Sequence, residues 1–107
     1  MSKKTQLMFG LVTLAAVFAF AAVNTAPSFK PKDGFVPDAR TAVKIAVAVW
    51  EPIYGEQKIA EEKPFQTHLA NGVWTVTGSL PADMQGGVAF IEIAKSDGRI
   101  LKVIHGQ

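Results

Sequence analysis

The apolar residues of this chain change period once, in the stretch between Pro52 and Gln57. Upstream, Ala39, Ala42, Val43, Ala46, Val49, Trp50 and Ile53 recur at steps of three and four, the stripe of a helix with one buried face. Downstream the pattern falls to two. Phe65–Leu69 reads as a short strand, Asn71-Gly72 as a hairpin turn and Val73–Thr77 as the return strand; Val88–Ala94 and Arg99–His105 follow as two more, joined by Lys95-Ser96-Asp97-Gly98. One amphipathic helix cannot bury its stripe alone, and short strands cannot bury theirs. Each must cover the other, which makes the expected class α+β: one main helix packed on an antiparallel sheet of three to four strands.

The helix has a clear start. Asp38, after Pro37, can accept from the free N–H groups of the first turn. Arg40, Thr41, Lys44, Ala48 and Glu51 take the solvent side. Pro52 lacks an N–H and crowds the carbonyl four residues back, so the helix is expected to stop or kink near Trp50–Glu51, with Gly55 ending the turn that follows. Glu61-Glu62-Lys63 reads as a solvated charged turn.

Little of the first fifth of the chain belongs to this domain. Lys3 and Lys4 precede Leu7–Val23, an uncharged run interrupted only by Gly10 and Thr13. Ala19-Phe20-Ala21 supplies the small residues that signal peptidase requires, so residues 1–21 are expected to be a secretory signal cleaved after Ala21. The rival is a retained anchor, because Leu7–Val23 stands near the lower limit for crossing a bilayer core of about 30 Å. Residues 22–33 read as a linker and 34–107 as the domain; Pro27, Pro31, Gly34 and Pro37 punctuate Asn24–Pro37 without any period. The expected location is therefore exported, in the periplasm or cell envelope.

Charge and cysteine content narrow the function classes. The net charge of +2 is carried by Lys3 and Lys4, and the rest of the chain balances. The excess is thus no argument for a nucleic-acid partner, none is expected, and membrane contact is expected only through the N-terminal segment if that is uncleaved. There is no cysteine, which rules out disulfides and thiolate metal ligands. A domain this small must hold by a compact apolar core, a tight partner, or both.

The residues able to carry chemistry are few. His68 alternates with its strand neighbours, and His105 stands at the C-terminal edge; neither has further ligands at metal spacing. Glu92, between Ile91 and Ile93, reads as the outward position of an amphipathic strand. No pair of carboxylates, no nucleophile turn and no phosphate-cradling loop stands out. No catalytic, cofactor-binding or metal-ligating residue is assigned. Trp50 and Trp74 read first as core. Tyr54, His68, Glu92 and His105 are the candidates for partner contact, and the expected action is binding rather than catalysis.

An ordered string of residues adds to this. Pro37-Asp38 opens the helix and Trp50-Glu51-Pro52-Ile53-Tyr54-Gly55 closes it. Then come Lys63-Pro64-Phe65, Val73-Trp74-Thr75-Val76-Thr77-Gly78-Ser79-Leu80-Pro81, Gly86-Gly87-Val88, Lys95-Ser96-Asp97-Gly98-Arg99-Ile100 and His105-Gly106. Over residues 34–107 this resembles the bacterial immunity proteins of the nuclear transport factor 2 fold. The resemblance implies a cystatin-like cone, a helix cradled by a curved sheet, and a protein partner: a cognate toxin neutralised by stoichiometric binding, with no cofactor. It carries over no catalytic motif. A second resemblance, in Phe90, Glu92, Asp97-Gly98, Ile100 and Val103, is to the PepSY envelope modules and implies restraint of a secreted peptidase. A small-ligand-binding cone is the third reading, and it would need an apolar pocket of about 300 Å³ or more.

Overall fold

The computed structural model describes residues 26–106. The signal expected at 1–21 lies outside the described residues, as does the start of the linker. Among the described residues no helix is long and apolar enough to cross a membrane.

Helix α1 spans Ala39–Tyr54 and a short helix α2 spans Glu56–Ala60; strands β1 (Gln66–Ala70), β2 (Val73–Thr77), β3 (Ala89–Ala94) and β4 (Ile100–His105) follow. The strands form one sheet in the order β1-β2-β3-β4, each antiparallel to the next. All four expected strands are present, packed on the helix, an arrangement consistent with the cystatin-like cone.

Local chemistry accounts for the helix start. Asp38 is extended and its carboxylate accepts from the Thr41 N–H at 2.8 Å and from the Thr41 hydroxyl at 2.7 Å. Those two bonds, the hydroxyl's first, hold the Asp38 carboxyl below its ordinary value.

The end of the helix differs from expectation, because α1 runs through Pro52 to Tyr54. Placed this late, Pro52 forfeits only the bond to the carbonyl of Ala48, an exposed residue. Gly55, at φ 96°, then closes the turn by donating its N–H to the Glu51 carbonyl at 2.8 Å. The extra turn also changes which residues face inward. Ala42, Ala46 and Trp50 are buried at steps of four, and the next step is Tyr54. Ile53, one member of the expected stripe, is 57% exposed.

A second departure follows directly. Period two does not begin at Gln57; residues 56–60 are helical, with Ile59 buried. The strands then obey their turn chemistry. Asn71 (φ 51°) and Gly72 (φ 74°) both adopt the left-handed region a two-residue hairpin requires, with Ala70 paired to Val73 across it.

The core lies between α1 and one face of the sheet: Ala42, Ala46 and Trp50 against Trp74, Val76, Ala89, Ile91 and Ile93, closed by Ile59 and Val36. Val36 belongs to a stretch whose prolines and lack of period suggest a tether, yet it is fully buried. Backbone bonds from Phe35 N–H to Ser96 and from Val36 N–H to Lys95, both 3.0 Å, pin it to the β3–β4 turn. Its carbonyl accepts from the Trp74 indole N–H at 2.8 Å.

The two tryptophans make an internal control. The Trp50 indole N–H is buried without a partner, while the Trp74 indole N–H is bonded. Changing Trp to Phe removes a costly orphan at position 50 but a satisfied bond at 74. Trp50→Phe should therefore move the unfolding midpoint in urea clearly less than Trp74→Phe. Equal losses would mean that the ring volume alone decides.

Candidate functional site

The four candidate contact residues fall on two sides of the sheet. Side chains alternate along a strand, and the even members of β2, Trp74 and Val76, face the helix. Thr75 therefore faces away. In register with it stand His68 on β1 and Glu92 on β3, and Lys102 on β4 pairs with Glu92. His68, Thr75, Glu92 and Lys102 thus form one polar row across the face that carries no helix. The neighbouring row is Gln66, Thr77, Phe90 and Ile104, where the Lys102 ammonium lies 5.9 Å from the centre of the Phe90 ring.

Tyr54 and His105 are on the helix side, and they touch. Their rings are tilted at 57° with centroids 5.0 Å apart. The helix runs two residues past Pro52 and so carries Tyr54 there. The residue that completes this cluster is Glu62, which contradicts its reading as part of a solvated turn. It is only 4% exposed. One carboxylate oxygen accepts from the Ala89 N–H at 2.7 Å, and the other lies 2.8 Å from His105 Nε2. Its backbone carbonyl accepts from Ser79 N–H at 2.6 Å. A Cβ on Gly78 would collide with the Glu62 carboxylate, so the glycine is what allows the carboxylate in.

Glu62 is buried because the chain is still turning when it arrives. Its N–H bonds to the Ile59 carbonyl at 3.0 Å, which puts Glu62 three residues beyond buried Ile59 and on the same side of the turn. A helical reading of residues 56–62 would have exposed this; strand periodicity started too early hid it.

Chemically the cluster is a clasp. The Glu62 carboxylate spans the loop after α2, the start of β3 and the end of β4. His105 Nε2 faces that carboxylate, and Nδ1 lies 3.1 Å from the Gly106 carbonyl. Both ring nitrogens are therefore engaged with oxygens of the protein, whereas a general base needs a nitrogen turned toward a reacting group. Ser79, the nearest hydroxyl in the loop, donates to the Pro64 carbonyl. Among the described residues no group of three or more His, Cys, Asp or Glu could hold a metal ion.

Of the surface grooves among the described residues, two bear on these features. One, of about 320 Å³, runs beside Glu62 and is walled by Leu80, Pro81 and Met84, with Lys58 and Glu61 at its rim. The other, of about 510 Å³, lies at the turn end of the sheet. The space between α1 and the sheet is occupied by Trp50, Trp74 and Ile91.

With this geometry in view, comparison with known proteins adds a family. Residues 41–107 match the family described as NTF2 fold immunity protein. The chain is 37% identical over 73 residues to the uncharacterised protein YhhH of Escherichia coli K12, covering 67% of this chain and 58% of that protein. It is 36% identical over 67 residues to the uncharacterised YbbC of the same strain, covering 62% of this chain and 55% of that one. The chain thus spans little more than half the length of these relatives. No solved structure matches it.

Proposed function

This chain belongs to the NTF2 fold immunity protein family, and from that premise we propose that it is an exported binding protein that neutralises a cognate toxin by stoichiometric occlusion. The family match over residues 41–107, most of α1 and the whole sheet, carries the reading. Two features of the molecule agree with it. The Glu62–His105 pair is spent on internal bonds, and the sheet presents a face with no helix on it, which is the kind of surface a protein partner can cover. The exported location rests on the sequence of residues 1–21.

Stoichiometric occlusion and turnover separate cleanly in a titration. With the toxin encoded beside the gene held constant and this protein varied, protection should rise in proportion and saturate at a fixed ratio. His68→Ala and Glu92→Gln should each leave protection intact, since binding energy concentrates in a few anchors and not in one indispensable polar group. Protection far below stoichiometry, abolished by either substitution, would mean catalysis and would end the occlusion reading.

A further inference from the structure

The groove of about 510 Å³ at the turn end of the sheet has a composition that selects its occupant. Its floor is apolar, from Val73, Ala94 and Leu101, three residues of adjacent strands. Its walls carry Lys32, Lys95 and Arg99 against one carboxylate, Asp33. Apart from Lys3 and Lys4 the chain balances its charges, so this is a local excess. Lys95 donates to the Asp33 backbone carbonyl, and Asp97 accepts only the Arg99 backbone N–H. Among the described residues none of the three cations forms an ion pair.

The groove is also built rather than loose. Gly34 has φ +85°, and a Cβ there would collide with the Lys95 carbonyl. That close approach, with the Phe35 and Val36 backbone bonds, brings Lys32 and Asp33 against the β3–β4 turn. Lys95 N–H bonds to the Gly72 carbonyl at 2.9 Å, tying in the β1–β2 turn.

We propose that this groove is a docking site for an acidic segment of a protein partner, with an apolar side chain seated on Ala94 between Val73 and Leu101 and its carboxylates facing Lys32, Lys95 and Arg99. Charge complementarity around an apolar floor is the arrangement that steers encounter and fixes register at interfaces. A single-stranded nucleic acid would want aromatic rings for base stacking, and none lines the groove. A symmetric contact with a second copy would oppose like charges. The proposal rests on the reading that this protein acts by binding a protein, and it names where.

The test uses the purified protein and labelled peptides followed by fluorescence anisotropy. The probes are an extended peptide alternating Glu and Leu, its Lys/Leu counterpart and an oligothymidine. The Glu/Leu peptide should bind best, and binding should weaken between about 0.1 M and about 1 M salt as the screening length falls from about 10 Å to about 3 Å. Lys32→Glu with Arg99→Glu, two exposed positions, should weaken it about tenfold or more, the equivalent of about 1.4 kcal/mol. Lys32→Glu alone, outside every helix and strand, should reproduce part of the loss, and Lys58→Glu at the other groove should not. Equal binding of the two peptides, preference for the oligothymidine, or unchanged affinity in the double variant would overturn the proposal. The toxin titration separates this from the broader reading. If the folded double variant still protects at the wild-type ratio, the groove is not the toxin's seat and immunity stands. If the wild type protects against no neighbouring toxin yet binds the acidic peptide as described, the immunity reading falls and the groove stands.

Discussion

Trp74→Ala should lower the free energy of unfolding by about 3–5 kcal/mol, the range for truncating a buried large aromatic, and urea denaturation followed by circular dichroism would measure it. The indole sits between helix and sheet and is 7% exposed. It also bonds the pre-helix segment, through the Val36 carbonyl. Truncation therefore opens a cavity and orphans a buried acceptor at once. Small domains are stable by about 5 kcal/mol at the lower end of the usual range, so the variant should be largely unfolded at room temperature. A midpoint that hardly moves would place Trp74 at the surface and contradict the core described here.

The second large effect is expected at Glu62. Glu62→Ala leaves the Ala89 N–H without its acceptor and His105 without its carboxylate. With each buried orphan costing about 1–3 kcal/mol, the variant should lose about 3 kcal/mol in the same denaturation experiment. Glu62→Gln provides the control. Its amide oxygen can still accept from Ala89 and its NH₂ can face His105, so it should recover most of the loss. A loss from Glu62→Ala within about 0.5 kcal/mol, typical of a surface change, would mean the clasp contributes nothing. His105→Ala cuts the same clasp from its more exposed end and should cost less than Glu62→Ala, since water can reach the vacated position.

This bears on how the family role can be tested. A substitution at Glu62, His105 or Tyr54 that abolishes protection must first be shown to fold, because these residues hold β3 and β4 to the loop after α2. The outer face is a cleaner target. His68, Glu92 and Lys102 lie in one row there, and exposed His68 and Lys102 can be changed without disturbing the core.

The architecture was legible in the sequence because it rests on short-range rules. Steps of three and four place Ala42, Ala46 and Trp50 on one face whatever surrounds them. Asp38 caps by reaching its own third neighbour. Asn71-Gly72 and Asp97-Gly98 turn the chain through backbone freedom that needs no distant contact. Those rules yield the helix, the four strands and the class α+β. Nothing local marks Val36 or the neighbourhood of Gly78, and for Glu62 a helical step from Ile59 gives the side of the turn but not the burial. Val36 is core because the β3–β4 turn offers it backbone bonds from some sixty residues away. Glu62 sits among charged neighbours that are solvated, and only the arrival of Ala89 N–H and His105 makes its burial tolerable. A buried carboxylate is expensive unless distant groups satisfy it, and composition cannot report whether they do. The same reason divides the candidate residues. Alternation alone sends His68 and Glu92 outward, while the meeting of Tyr54 with His105 depends on a helix that continues two residues past its proline and on a strand end that only the folded sheet brings to it.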